Sequence, residues 1–314
     1  MANTFLTPQV IAKAALATLY ETCVAAQLVH RDYSSEFAAK IGDTVTIRKP
    51  AVFEAKEYVQ GNGITVQNAT ETGVPVTLNH HADTSFAITS RDLTMKINDF
   101  RTQLLDPALE SIAQKIDKDV LAFRSDITQV AGLGNGVSPF PLGTAPGRIW
   151  SKPESLIDAG TILNKNAVPS LDRHAIIGPE ANGNWLDADI LKNHNSSGDT
   201  EALREAYLGR RLFGFDPYWT QHIEQPAASP ATGAPTTEVG VAFHRTAVAL
   251  VTRPLELPLG SANATVENYK GFGIRVVIGY DQNHKTDTVS VDTIYGVKTL
   301  DANRAVLIKG PNKA

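Results

Sequence analysis

The stretch Phe100-Arg101-Thr102-Gln103-Leu104-Leu105-Asp106-Pro107-Ala108-Leu109-Glu110-Ser111-Ile112-Ala113-Gln114-Lys115-Ile116-Asp117-Lys118-Asp119-Val120 carries the strongest periodic signal in the chain. Phe100, Leu104, Ala108, Ile112, Ile116 and Val120 follow one another at four-residue intervals, with Leu105, Leu109 and Ala113 beside them, so one side of an α-helix becomes apolar. Asp106-Pro107 interrupts the pattern, either as a kink or as an N-cap followed by a first-turn proline. Continued beyond Pro107, the helix runs to about Phe123 or a turn further, roughly 25 Å at 1.5 Å per residue. That length predicts a spine for a larger body and not a member of a small bundle.

Upstream of this helix the period is two. Val45 and Ile47 alternate with Thr46 and Arg48, and Val74, Val76 and Leu78 alternate with Pro75, Thr77 and Asn79, which predicts strands. Between them Gln60-Gly61-Asn62-Gly63 favours a tight reversal, so Val45 to Thr89 reads as one or more extended β-hairpins. Two strands with one apolar face are marginal alone in water, and the hairpin is expected to dock on another subunit. Further upstream, Thr7-Pro8 reads as a helix entry, and Ile11, Ala15, Leu19, Ala26 and Val29 recur near helical spacing, giving an amphipathic arm. Its stripe needs a surface, either its own domain or a neighbouring copy.

Downstream, Ala131-Gly132-Leu133-Gly134-Asn135-Gly136 with Pro139, Pro141 and Pro146 reads as a linker. Pro153 to Lys165 is predicted helical and His174 to Ile177 a buried strand, opening a second domain. That domain contains a polar region from Asn193 to Arg211, the compact run Gly209 to Tyr218, and an exposed Pro/Ala/Thr-rich loop from Pro226 to Thr237. Strands are predicted at Val239 to Val251, Val276 to Tyr280, Val289 to Tyr295 and Ala305 to Ile308. They are expected to pack back on the helix, giving an α+β body whose parts are distant in sequence. No internal repeat is present.

The bulk composition is that of a folded globular chain: 42% hydrophobic and 20% charged residues place it outside the disordered class. A net charge of −4 gives no global attraction to nucleic-acid phosphates. The single cysteine, Cys23, makes no intrachain disulfide and reads as a small buried apolar residue. No window approaches the roughly 18 consecutive apolar residues of a spanning helix. Val10 to Val29 carries Lys13, Glu21 and Gln27 where a secretory core would be continuous, so no secretion is expected.

Motifs for chemistry are weak. The glycine run from Gly132 would need a strand before it and a helix after it to bind a dinucleotide, and it reads instead as a linker after a helix. His80, His81 and Asp83 do not suggest a metal site, because neighbours on a strand point to opposite faces; a solvated strand end is expected. Asp117 and Asp119, like Asp187 and Asp189, are read as solvated charge, lacking the calcium-loop pattern. Arg210-Arg211 reads as a salt-bridge or interface pair. Hydrolase, kinase and zinc-protease signatures are absent. The sequons at Asn68, Asn195 and Asn263 carry no meaning without a secretory route. No catalytic, cofactor-binding or metal-binding residue is assigned.

Taken in order, the arm, the hairpin, the helix, the middle domain and the closing strands resemble the tailed-bacteriophage major capsid protein with the Hong Kong 97-type fold. Ile41-Gly42-Asp43-Thr44-Val45 resembles the start of its extended loop, and Asp83 to Val120 its return strand and spine. Val168 to Tyr218, including Arg173 to Pro179, resembles its axial domain. Gly279-Tyr280-Asp281 with Asp292-Thr293-Ile294-Tyr295-Gly296-Val297 is similar to its closing strands, particularly in actinobacterial and enterobacterial phages. The resemblance implies an N-terminal arm at 1–40, an extended loop at 41–90, a peripheral domain with the spine at 91–150, an axial domain at 151–250, and closing strands of the peripheral domain at 251–314.

It also implies a non-enzymatic subunit that self-assembles as pentamers and hexamers into an icosahedral shell around double-stranded DNA, in a virion built in the host cytoplasm. The expected partners are further copies of the chain, a separate scaffolding protein, a portal, room for a decoration protein, and DNA touched weakly and without sequence specificity. No cofactor and no membrane are implied. An inserted domain is not expected, and no residue is assigned to covalent crosslinking. The same fold in encapsulin-like nanocompartments is the nearest alternative. A nucleotide-binding oxidoreductase using the glycine run is the alternative of another class.

Overall fold

The computed structural model describes residues 24–31, 44–49, 53–57, 66–68, 72–89, 106–134, 148–188, 211–258, 264–269 and 272–313. The expected arm helix from Thr7 to Leu19, Cys23, the Gly61-Asn62-Gly63 reversal, Phe100 to Leu105, Pro139 to Pro146 and the polar region from Asn193 to Arg210 lie outside them.

Ala25–Leu28 forms a single helical turn, α1, and Asp106–Leu121 forms α2. Pro107 stands in the first turn of α2, where its missing N–H has no intrahelical partner to lose. The stripe is buried as its spacing demands: Leu109, Ile112, Ala113, Ile116, Val120 and Leu121 are inside, while Glu110, Lys115 and Lys118 are exposed. Past Leu121 the chain tightens into a 3-10 turn, Ala122–Asp126, that buries Phe123.

The first sheet lies on this stripe. Its centre is β11 (Thr286–Thr299), paired along one edge with β3 (His80–Thr89). The other edge is shared by β10 (Phe272–Asp281), over Thr286 to Asp292, and β8 (Val248–Arg253), over Ile294 to Thr299. Ile294 and Tyr295 pair with both β3 and β8, so β8 takes up the edge that β10 leaves. β9 (Ala264–Tyr269) completes the sheet beyond β10. Ala82, Ile274, Val276, Val289, Val291 and Tyr295 join the apolar stripe of α2 in one core.

The second sheet runs β4 (Val130–Ala131), β12 (Ala305–Ile308), β7 (Gly240–His244), β5 (Arg173–Ile177) and β6 (Asp216–Trp219). Its strands are covered on both sides. Ile176, Val241, Phe243, Ala305 and Leu307 face the α2 core, whereas Ala175, Ile177, Ala242, Val306 and Ile308 face a second core under α3 (Ser155–Lys165) and α4 (Pro179–Leu186). Burial on two faces is why these strands read as unbroken apolar runs.

Four differences from the sequence reading have local causes. Val239 to Val251 splits at a 3-10 turn, Arg245–Ala247, capped by the His244 ring as it accepts from the Thr246 amide at 3.2 Å; β7 and β8 therefore belong to different sheets. Position 250 falls inside β8, and Ala305 to Ile308 closes the second sheet rather than joining β10 and β11, so the segments 151–250 and 251–314 do not coincide with the sheets. Helix α4 was not anticipated because Asn182 and Gly183 are poor helix formers. Its N-terminus is held from afar, where the Glu238 carboxylate accepts from the amides of Glu180 and Ala181 at 3.1 and 3.0 Å. The Pro226 to Thr237 loop is largely exposed, as expected, but its end is clasped by the C-terminal segment, with Gly233 donating to the Lys313 carbonyl and Lys313 to that of Ala234, both at 2.9 Å.

Candidate functional site

The feature that stands away from the two cores is the ribbon of β1 (Thr44–Lys49) and β2 (Thr72–Thr77). The strands pair antiparallel from Thr44 opposite Thr77 to Lys49 opposite Thr72. Alternation puts Val45, Ile47 and Val76 on one face, where they are buried against Ala249 and Val251 of β8 together with Leu78 and Leu300. The base of the ribbon is thus docked on its own chain, which corrects the expectation that the hairpin finds its apolar cover on another subunit. It leaves the body at Gly296 of β11: a Cβ there would stand 2.2 Å from the Thr77 carbonyl oxygen, so the crossing requires glycine.

Beyond its base the ribbon has no such cover among the described residues. Phe53 is 61% exposed and Val66 80% exposed. The two arms still meet here, because the Glu54 amide donates to Gln67 Oε1 at 3.0 Å and the Gln67 side-chain amide donates back to the Glu54 carbonyl. These two side chains leave apolar surface in water. A second such surface is the outer edge of the second sheet. Among the described residues strand β6 pairs with β5 alone, and it ends in Tyr218 and Trp219, 38% and 50% exposed. The turn before it holds Arg211, Phe213 and Gly214 at positive φ.

The described end of the arm packs on its own chain. Ala25, Ala26, Leu28 and Val29 are buried in the α2 core, and His30 joins the edge of β8, accepting from Leu250 at 2.9 Å and donating to Val248 at 3.1 Å. Of the two alternatives for its apolar stripe, the described end takes its own body. Here the Asp117 reading is corrected: it is buried, only 2% exposed. Its carboxylate accepts from the Ala25 amide at 2.7 Å and from the Thr220 hydroxyl at 3.4 Å. Burial raises its pKa above the ordinary carboxylate value, against the lowering effects of the Ala25 amide and of His222. Asp119 is half-buried beside it in sequence, accepting from Tyr295 Oη at 2.5 Å and paired with Lys115 at 3.0 Å.

The remaining candidates carry no shared chemistry. His80 stacks on Tyr295, with ring centroids 5.2 Å apart, and points toward Asp119, whereas His81 points toward Asp292. The two imidazoles diverge as strand geometry requires, at the partly exposed end where β3 begins. Asp83 accepts from Ser85 and Ser290, and Asp292 is gripped by Arg275. Asp187 ends α4; Asp189, Arg210, Asn195 and Asn263 lie outside the described residues, and Arg211 is exposed. No three His, Cys, Asp or Glu residues converge on a metal position among the described residues. No described helix is long and apolar enough to cross a membrane.

The glycine run follows the short strand β4, not a helix, and opens no helix among the described residues. Gly132 and Gly134 instead pair with Arg148 to Trp150: Trp150 donates to the Gly132 carbonyl at 2.9 Å and Gly134 to that of Arg148 at 3.3 Å. At φ 91°, Gly132 packs so closely on Trp150 that a Cβ would meet it at 2.9 Å. A groove of about 490 Å³ near the end of α2 is lined by Arg124, Ser125, Glu224, Val239, Leu307 and Lys309, and its arginine is spent on Glu224 at 2.8 Å.

No family model and no curated protein matches the sequence. Solved structures do. A structure from Mycobacterium phage Che8 is 22% identical with a TM-score of 0.61, covering 91% of this chain and 90% of that one. The capsid structure of cyanophage P-SCSP1u is 16% identical with a TM-score of 0.63, over 91% of this chain and 87% of that one. A virus-like particle from Pyrococcus furiosus is 14% identical with a TM-score of 0.51, over 96% and 98%. The α+β chain has the fold of tailed-phage capsid structures, matched over nearly its whole length.

Proposed function

We propose that this chain is the major capsid protein of a tailed phage, a structural and non-catalytic subunit that closes into a shell with copies of itself. The observation that carries the reading is the end-to-end agreement of fold with phage capsid structures, at 91% of this chain against 87% of the cyanophage capsid chain. The ribbon supports it independently. Its base is anchored on β8, so its distal part is held away from the body with Phe53 and Val66 uncovered.

In this reading the distal ribbon of one subunit lies over the helix-bearing body of the next, and the 151–250 segment gathers subunits into pentamers and hexamers. Burying a side chain such as Phe53 contributes about 1.5–3 kcal/mol. Each contact is modest, and closure makes it sufficient, because heterologous contacts whose rotation closes give a finite assembly and neighbouring contacts act at high effective concentration. A net charge of −4 gives the wall no global attraction to DNA phosphates, which is compatible with a container that is filled with double-stranded DNA. A separate scaffolding protein, a portal and a decoration protein are the partners such a shell would take, in a virion assembled in the host cytoplasm.

One observation favours a second reading, a nanocompartment shell with protein cargo: the Pyrococcus furiosus virus-like particle matches over 98% of its own chain. Electron microscopy of the purified full-length protein, alone and with a candidate scaffold, tests both. Round particles of uniform size are expected. A monodisperse monomer under every assembly condition contradicts both readings, and uniform shells that hold an enzyme and no DNA in the native host overturn the phage assignment alone.

A further inference from the structure

Helix α4 is the eight residues Pro179-Glu180-Ala181-Asn182-Gly183-Asn184-Trp185-Leu186, too short and too rich in asparagine and glycine to hold its shape alone in water. Two anchors keep it helical. At its N-terminus both oxygens of the Glu238 carboxylate are engaged: Oε1 accepts from the Glu180 amide at 3.1 Å and from Gln225 Nε2 at 2.9 Å, and Oε2 from the Ala181 amide at 3.0 Å. Glu238 is only 1% exposed, and these donors, with the positive end of the helix, make its charge tolerable there. Near the C-terminus of α4, Trp185 is fully buried and donates from Nε1 to the Trp150 carbonyl at 2.9 Å.

Both anchors lead to one place, the segment that follows β12. The Gly310 amide donates to Thr237 Oγ1 at 2.8 Å, next in sequence to Glu238. Gly310 also lies against Trp150: an added Cβ would stand 3.1 Å from Cδ1 of that ring and 2.8 Å from Thr237 Cγ2. Further along, the Thr236 hydroxyl donates to the Pro311 carbonyl at 2.6 Å, and Lys313 exchanges backbone hydrogen bonds with Gly233 and Ala234. Gly233, Thr236, Pro311, Asn312 and Lys313 are exposed. Backbone bonds at exposed residues open at lower free energy than those of core strands, so this segment is able to lift without opening the sheet beneath it.

We infer that Lys309 to Lys313 is a strap that sets the state of α4. Closed, it holds Thr237, Glu238 and Trp150 in place and α4 is helical; lifted, it frees both anchors and α4 unwinds as a local unit. Whatever draws the strap away from the 233–237 loop therefore also unwinds α4. The inference concerns the chain itself and does not rest on its building a shell.

Amide hydrogen exchange of the full chain, followed by NMR on dissociated subunits, reads the parts separately. Gly233 and Lys313 report the strap, Asn182 to Asp187 the helix, and Val241 to Phe243 the sheet. Thr237→Val, which keeps the shape and removes the oxygen that accepts from Gly310, is expected to lower protection of strap and helix together, the helix by about tenfold, as for a lost cap. Gly310→Ala, wedged between Thr237 and Trp150, is expected to do the same. Glu238→Gln, which trades one accepting oxygen for a donor, is expected to lower protection of the helix and leave the strap closed. Val241 to Phe243 keep wild-type protection in all three variants. A helix that stays protected when the strap loses protection overturns the inference, and so does a strap that stays protected in both Thr237→Val and Gly310→Ala. Losses of equal size at Val241 to Phe243 overturn it too, because the sheet and not α4 would then answer to the strap.

Discussion

Gly296 shows how a single residue fixes where the ribbon leaves the body. Any Cβ there meets the Thr77 carbonyl at 2.2 Å, a backbone atom that cannot rotate away, so either β11 or the root of β2 must shift. Gly296→Ala is expected to lower the stability of the dissociated subunit by about 1–3 kcal/mol in denaturant unfolding. Gly279→Ala, with nothing within 4 Å of its added Cβ, is expected to leave stability nearly unchanged; equal losses would show that the crossing is not tight. The Gly296 contact is not written in the local sequence, since Gly296 and Thr77 belong to different sheets that meet only by tertiary packing. Asp117 is a different case. Its spacing with Asp119 reads as surface charge, yet it lies four residues after Ala113 and one after Ile116, inside the arc that the stripe marks as buried. The arc was legible there, and the charge obscured it.

At the scale of elements, helix α2, α3, β5 and β12 were legible because each owes its state to its own pattern: period 3.6 in the helices, and a short apolar run in the strands. Helix α4 was not, since its start depends on Glu238, more than 50 residues away in sequence. The period-two pattern of Val45, Ile47 and Val76 announced a buried face but not the surface that buries it, which is β8 of the same chain. That correction divides the ribbon into a docked base and an uncovered distal part. Replacing Phe53 and Val66 together by serine is expected to leave the unfolding of the dissociated subunit within about 0.5 kcal/mol of wild type, as for exposed positions elsewhere. The same variant is expected to lose the particle peak in sedimentation velocity. Intact particles from the double variant would remove the distal ribbon from the assembly contacts.

For the whole molecule, the order of elements carried more than any motif. Arm, ribbon, helix, middle sheet and closing strands led from sequence to the fold that this chain shares with phage capsid structures, at identities of 22% and below. What the order could not supply was the exchange of strands between sheets, because β8 and β12 are assigned by long-range pairing and not by composition. The account as a whole turns on an ordered projection whose base belongs to its own subunit and whose end is completed by another. Hydrogen exchange on dissociated subunits and on assembled particles measures this directly. Protection of Val45, Ile47 and Val76 in both states, with Phe53 to Glu57 and Val66 to Asn68 protected only in particles, is the predicted result; equal protection of those distal residues in the two states would contradict it.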